Sequence, residues 1–129
     1  MRRYMVLAVA VLLVACGSTG SSESNTLTGS VSLKNGRWDP GQACRGADGY
    51  GDLTGGARVT VTDGAGELLA LGSMELGTAS GYLHCDLPFT VPDVPESEFY
   101  KVTIGNRPEM SYTLAELAAV DWNLALSLG

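Results

Sequence analysis

The side chains best suited to recognition or catalysis lie in one long segment, residues 34–56. The segment contains seven glycines and lacks the two-residue alternation of strands. Loops longer than about 12–15 residues in a compact domain are usually functional or disordered. Aromatic residues and arginine supply large contact areas at low entropy cost. We therefore predict a recognition loop, and the alternative is a structural loop that covers one open end of the domain. The predicted contact residues are Trp38, Arg45, Asp48, Tyr50 and Asp52.

The carboxylates of the same segment allow two other kinds of chemistry. A pair of carboxylic acids can act as acid and base in hydrolysis. A small envelope hydrolase that uses the acidic residues of the 34–56 loop is therefore the alternative function. Calcium loops place carboxylates at alternate positions and end on a glutamate, and Asp39, Asp48 and Asp52 do not have that spacing. We accordingly predict no metal site.

His84 is the only histidine of the chain. A triad needs a nucleophile on a sharp turn and an orienting acid, and the sequence contains no G-x-S-x-G motif. Strand alternation directs the His84 side chain away from the core. A single histidine is also too few for a zinc site. We therefore predict no catalytic residues, no cofactor and no enzymatic activity.

Residues 1–15 have the pattern of an export signal, with two arginines followed by an apolar run. The twelve residues 4–15 would extend only about 18 Å as a helix, too short for a hydrocarbon core of roughly 30 Å. The run ends at Leu13-Val14-Ala15-Cys16, which resembles the bacterial lipobox. That resemblance implies a lipid on Cys16 and a place on the extracytoplasmic face of the cell membrane. The Gly/Ser-rich composition of residues 17–25 predicts a flexible tether, so that 16–25 comprises the lipidated cysteine and its tether.

The two other cysteines form an even pair. With Cys16 lipidated and the domain outside the cell, we predict a disulfide between Cys44 and Cys85. The enclosed span is 85 − 44 = 41 residues, for which the chain-entropy estimate is roughly 4 kcal/mol. The bridge would also fix the 34–56 loop to the strand that carries Cys85.

The charge balance restricts the classes of partner. The chain has 8 basic and 14 acidic residues, and removal of the two signal arginines leaves 6 − 14 = −8. A protein this acidic lacks the basic face that nucleic acids need. We therefore expect no nucleic acid and no membrane contact beyond the lipid anchor. The expected partner is an envelope protein or glycan.

Period-two alternation of apolar residues dominates the remainder, residues 26–129, which is one domain. One helix is expected at Leu114–Ala119, because Thr113 and Glu116 have the spacing of a capping box. The pattern indicates an all-β fold, a single Ig-like or prealbumin-like β-sandwich of about seven strands with one short helix before the last strand. The predicted strands cover 27–33, 57–63, 67–76, 82–91, 99–104, 110–112 and 122–128.

The stretch 56–104 resembles the prealbumin-like modules of bacterial surface proteins, of the Cna-B and carboxypeptidase-regulatory type. The matching features are ARVTVTD, the turn DGAGE, FTVPDVP and FYKVTI. The chain as a whole resembles small, uncharacterised secreted lipoproteins of high-GC Gram-positive bacteria, which share CRGADGYGDLTGG and the second cysteine. The resemblance implies a fold more than an activity. We therefore expect a non-catalytic envelope lipoprotein that acts as a binding or scaffolding module.

Overall fold

A computed structural model describes residues 24–38 and 43–128. The predicted signal peptide (1–15), Cys16 and residues 17–23 lie outside the described residues. The first strand, β1, begins at Ser24. Ser24 and Asn25, which the sequence places in the predicted tether, therefore belong to the folded domain.

The chain forms ten strands and one α-helix in the described ranges, together with one 3₁₀ turn at Asp48–Tyr50. The helix α1 lies directly before the last strand, as predicted. The strands and the helix are β1 (Ser24–Leu33), β2 (Gly36–Arg37), β3 (Arg45–Gly46), β4 (Arg58–Thr62), β5 (Leu68–Met74), β6 (Thr78–Gly81), β7 (His84–Pro95), β8 (Phe99–Ile104), β9 (Met110–Thr113), α1 (Leu114–Ala119) and β10 (Asn123–Leu128).

Eight of these strands form one mixed sheet in the order β10-β1-β7-β5-β4-β8-β9, with β6 paired to the beginning of β7. The strands β1 and β10 run parallel, whereas the other described pairs are antiparallel. The sheet curls so that its opposite parts enclose a common core. The predicted all-β, sandwich-like fold is confirmed. The strands β2 and β3 form a separate two-stranded ribbon within the 34–56 segment.

The core follows from the alternation of the strands. Residues 27, 31 and 33 of β1 face inward, and so do alternate residues of β4, β7 and β8. Tyr100 is fully buried, and its hydroxyl accepts a hydrogen bond from Ser97 N (2.7 Å) and donates one to Pro95 O (3.2 Å). The largest fully buried side chains are Tyr100, Phe89, Leu27, Leu33, Leu53, Leu87 and Leu117.

At Gly72 the backbone of β5 lies against the backbone of β7. Its sequence position indicates a bulge, but the register shift of the β4–β5 pair lies between Val61 and Thr62. A Cβ atom at Gly72 would instead collide with the carbonyl oxygen of Thr90 and would come within 2.7 Å of Val91 Cα. Glycine is required here because two backbones touch.

The helix α1 has the predicted bounds and the predicted cap. Thr113 Oγ1 accepts a hydrogen bond from Glu116 N, and Glu116 Oε1 accepts one from Thr113 N, both at 3.1 Å. Leu117 carries the buried face of the helix. None of the helices in the described ranges has the length and apolar character needed to cross a bilayer.

Candidate functional site

The predicted disulfide joins Cys44 and Cys85, and both residues are buried. The two positions are 41 residues apart in the sequence. Cys44 N also donates a hydrogen bond to Gly77 O (3.3 Å), just before β6. The disulfide therefore fixes the 34–56 segment to β7. The hydrogen bond to Gly77 joins the same segment to the residue that precedes β6.

The 34–56 segment is folded against the domain through its glycines and Leu53. Gly36 and Gly46 lie opposite each other in the β2–β3 ribbon and face the protein. A Cβ atom at Gly36 would lie 2.7 Å from Cys85 Cβ. Gly36 N donates to Leu83 O (2.6 Å), and Gly46 N donates to Leu53 O (2.8 Å). Leu53 is fully buried, so the segment is part of the core as well as of the surface.

Asp52 forms an ion pair that the sequence pattern does not predict. Its carboxylate accepts hydrogen bonds from Arg107 Nε and Asn106 N, each at 3.1 Å, and the second carboxylate oxygen pairs with Arg107 Nη2. The hydrogen bonds from Arg107 lower the pKa of Asp52 below its ordinary value, and the backbone hydrogen bond from Asn106 acts in the same direction. Asp52 is therefore held as a carboxylate and closes the loop onto the turn between β8 and β9.

Tyr50 takes part in the same contact. The Arg107 guanidinium lies over the Tyr50 ring, with 4.9 Å between the guanidinium carbon and the ring centroid. Arg107 Nη2 also donates to Gly49 O (2.5 Å). The structure thus places Tyr50 and Asp52 together at an intramolecular contact with Arg107. No local signal in the sequence identifies Arg107 as their partner, because 55 residues separate it from Asp52.

The other predicted contact residues are exposed. Asp48 begins the 3₁₀ turn with φ at +51°, a conformation that aspartate adopts more readily than most residues. Arg45 lies directly opposite Arg37 on the ribbon. His84 is exposed at the start of β7, as its strand position predicted.

Within the described ranges, no group of three or more His, Cys, Asp or Glu side chains is arranged to hold a metal ion.

Trp38 is 59% exposed and borders an open concavity of about 450 Å³, which we call the aromatic concavity. Tyr82 and Leu83, at the turn between β6 and β7, form its other wall and are 90% and 50% exposed. Ala79 and Gly81 contribute from β6. Large apolar side chains exposed together on one concave surface are typical of binding sites. The residues that line it are Gly36, Trp38, Ala79, Gly81, Tyr82 and Leu83.

The strand that the sequence predicts at 82–91 begins two residues later in the structure. The outward direction predicted for His84 would turn Leu83 inward, but β7 begins at His84. Gly81 pairs with His84, so Tyr82 and Leu83 form a two-residue turn at the tip of the hairpin. Leu83 has φ at +62°, a conformation that costs a non-glycine residue about 1–2 kcal/mol. The apolar alternation from Leu83 onward is unbroken in the sequence, so only Gly81, directly before the turn, could have indicated it.

A second, smaller cleft of about 190 Å³ lies between the ends of β1, β8 and β10, next to the turn that carries Arg107. Its lining residues include Val31, Ile104, Met110 and Leu126. Val31 and Ile104 belong to the core itself. The aromatic concavity is therefore the better candidate for a functional site.

Comparisons of the chain with protein families, with characterised proteins and with solved structures found no match.

Proposed function

We propose that the protein is a non-catalytic binding or scaffolding lipoprotein, held on the outer face of the cell membrane by a lipid on Cys16. Its contact surface is the aromatic concavity. The partner is an envelope protein or glycan that packs against Trp38 and Tyr82. The single observation that carries the proposal is the exposure of Trp38, Tyr82 and Leu83 around one concavity.

The construction of the concavity supports this role. One wall follows β2, and the other is the hairpin tip between β6 and β7. The hydrogen bond from Gly36 N to Leu83 O joins the two walls, and the Cys44–Cys85 bridge lies directly behind them. A surface held in its bound shape loses less entropy on association. Strain at a residue such as Leu83 persists where the surrounding structure enforces it, and such residues cluster at functional sites.

The state of Asp52 favours a binding role over the hydrolase alternative. A general acid or base at neutral pH needs a pKa near the working pH. Hydrogen bonds from Arg107 move the pKa of Asp52 in the opposite direction and occupy both of its oxygens. Asp52 is therefore unsuited to transfer protons, and a hydrolase acting from this loop would lack that carboxylate.

Membrane attachment is tested by metabolic labelling with a fatty acid. We expect label on the wild-type chain and none on Cys16→Ser, which should be released into the medium. A wild-type protein without label would contradict the lipid anchor. The result bears on location only, because Cys16 is outside the domain that carries the aromatic concavity.

Binding is tested by photo-crosslinking in living cells. A photoreactive residue at position 82 should form a defined adduct, and Trp38→Ala in the same chain should remove it. Phe99 is the matched control position, because it is aromatic, 52% exposed and outside the concavity. Equal adducts from positions 82 and 99, or an adduct that survives Trp38→Ala, would overturn the proposal.

A further inference from the structure

The last strand, β10, forms one border of the eight-stranded sheet, and β9 forms the other. Among the described strands, β10 pairs with β1 alone. Thr28 N donates a hydrogen bond to Trp122 O (2.9 Å), so Trp122 and the even-numbered residues of β10 direct their backbone groups toward β1. Successive residues of a strand direct these groups to opposite sides. Ala125 and Ser127 therefore turn their N–H and C=O groups away from β1, toward the border of the sheet.

β10 lacks the features that usually protect the border of a sheet. Its sequence, NLALSL, contains no charge, no proline and no glycine. Border strands are normally protected by charged side chains, by proline or by short length. β9 has such protection, because it is only four residues long, follows Pro108 and Glu109, and uses Thr113 N in the helix cap. Of the two borders, β10 is therefore the one suited to accept a further strand.

The segments outside the described ranges join the domain at other places. Residues 39–42 are flanked by Trp38, which borders the concavity with β6, and by Cys44, which forms a bridge with Gly77 just before β6. The strands β7 and β1 separate β6 from β10. Ser24, the first described residue, precedes the part of β1 that pairs with β10. A second chain is therefore the better occupant of the β10 border.

The backbone groups of β10 are complementary to those of a second copy in antiparallel orientation. When Leu126 lies opposite Leu126 of the second copy, Ala125 of each strand lies opposite Ser127 of the other. Each of these two pairs exchanges two N–H···O hydrogen bonds. The register uses every outward backbone group of Ala125 and Ser127. It does not need Asn123 N, which already donates to Val120 O (3.0 Å).

The side chains of β10 suit the same register. Leu124 is buried, whereas Leu126 and Leu128 are half-buried and line the smaller cleft. The register places Leu126 against Leu126 of the second copy and Leu124 against Leu128, in non-hydrogen-bonded pairs whose Cα atoms lie about 4.5 Å apart. Leucines that are half-buried in one copy are thus covered by leucines of the other. On the opposite face, Ala125 and Ser127 are small and leave room for the approach.

The charges beside β10 favour the antiparallel orientation. Asp121 precedes the strand, and Lys34 lies at its other end, where Lys34 N donates to Leu128 O (3.2 Å). Both side chains are exposed. Antiparallel pairing brings the Asp121 end of one copy to the Lys34 end of the other, whereas parallel pairing would bring like charges together. Because β10 itself is uncharged, two acidic chains meet where their repulsion is weak.

We propose that two copies of the chain form a dimer through antiparallel pairing of their β10 strands, which joins two sheets into one. The contact uses the same surface on both copies, so it closes with two chains, and the protected border at β9 offers no second site for growth. The dimer carries two aromatic concavities, which raises its avidity for a partner with repeated units. The inference does not depend on the proposed function, since β10 lies outside the residues that line the aromatic concavity.

The test is sedimentation equilibrium of the secreted full chain with Cys16→Ser. We expect a dimer at concentrations on the order of 100 μM, because a contact of one strand pair is small and therefore weak. Ser127→Lys should weaken the dimer by about tenfold or more, because it places like charges at the contact. Ser111→Lys is the matched control, because it makes the same change in charge at an exposed serine of β9. It should leave the dimer intact.

A proline variant tests the hydrogen bonds of the contact. Ala125→Pro removes an N–H group that points away from β1, and proline is tolerated at such positions of a border strand. We expect a monomer. Melting temperatures of Ala125→Pro and Ser127→Lys close to that of the wild type would show that β10 remains paired with β1.

The register is tested by crosslinking. With cysteine at position 126, the two thiols lie on the two-fold axis, within the range of Cα separations that a disulfide spans. Mild oxidation of Leu126→Cys should give a covalent dimer, and oxidation of Ser111→Cys should not.

Four results would overturn the inference. One is a monomer at this concentration, which is also the result expected if residues 17–23 cover the border of β10. The second is an equal effect of Ser127→Lys and Ser111→Lys on the dimer. The third is growth into species larger than two copies, and the fourth is a dimer that Leu126→Cys does not crosslink. None of these results alters the expected adduct at position 82, so the dimer and the binding function can fail separately.

Discussion

At the scale of single residues, Leu83 connects stability to binding. Its exposed side chain contributes to the aromatic concavity, while its backbone has φ at +62°. In a two-residue turn this conformation is normally taken by glycine or asparagine. The leucine therefore lowers the stability of the fold, but it adds an apolar side chain to the surface of the concavity. A stability cost of this kind is expected at a residue whose side chain contacts a partner.

Leu83→Gly should separate the two effects. We expect the free energy of unfolding to increase by up to about 1 kcal/mol, because the backbone strain is relieved. The adduct formed from position 82 should decrease, because one wall of the concavity is lost. Urea denaturation and crosslinking measure the two quantities. A variant that is less stable than the wild type would show that the leucine side chain is mainly a structural contact.

Asp52→Asn tests the contact between the loop and the β8–β9 turn. The side chains of Asp52 and Arg107 are 14% and 25% exposed. We expect a loss of about 1–2 kcal/mol, since charged hydrogen bonds contribute up to about 3 kcal/mol when sheltered and less where water reaches them. Asp48→Asn, an exposed position in the same loop, should be near neutral. A near-neutral Asp52→Asn would contradict the role of the ion pair.

The same variant gives a pH dependence. The folded-state pKa of Asp52 is below its ordinary value of 3.8. Its contribution is therefore complete at neutral pH and is lost as the pH falls below about 5 and through the folded-state pKa. The stability difference between wild type and Asp52→Asn should shrink as the pH falls from 7 to 3 in denaturant titrations. A difference that grows toward pH 3 would be inconsistent with a carboxylate stabilised by Arg107.

At the scale of elements, the sequence predicted a feature correctly where the residues that determine it lie close together in the chain. The bounds of α1 follow from Thr113 and Glu116, three residues apart, and the faces of β4 and β8 follow from alternation. The partner of Asp52 could not be predicted, because nothing near it specifies a contact 55 residues away. Leu83 was misplaced because a two-residue turn without Asn-Gly or Asp-Gly lacks the usual sequence signal.

Gly72→Ala tests the approach of β5 to β7. The added methyl group would meet the Thr90 carbonyl oxygen and Val91 Cα, which are backbone atoms that cannot move aside. We expect a loss of about 3 kcal/mol or more, the upper end for overpacking. Gly49→Ala is the matched control, since no atom lies within 4 Å of the point that its added Cβ atom would occupy. Comparable urea midpoints for the two variants would show that the strands separate easily here.

At the scale of the whole molecule, the Cys44–Cys85 bridge should dominate stability. Replacement of both cysteines by alanine should cost roughly 4 kcal/mol, which corresponds to a fall in melting temperature of roughly 15–30 °C. The position-82 adduct should be lost as well, because the bridge supports both walls of the concavity. Cys16→Ser should not change the melting temperature. Labelling of Cys44 or Cys85 by a thiol reagent in the unreduced native protein would contradict the bridge.

The position of β1 within the sheet has a consequence for the order of assembly. β1 pairs with residues 85–95 of β7 on one side and with residues 123–128 of β10 on the other. A chain that emerges amino end first, from a ribosome or an export channel, therefore holds its first strand without either neighbour until much later segments arrive. Contacts between such distant residues form slowly. The domain can be completed only after its final strand has emerged, so a chaperone that shields β1 during that interval would raise the yield of folded protein.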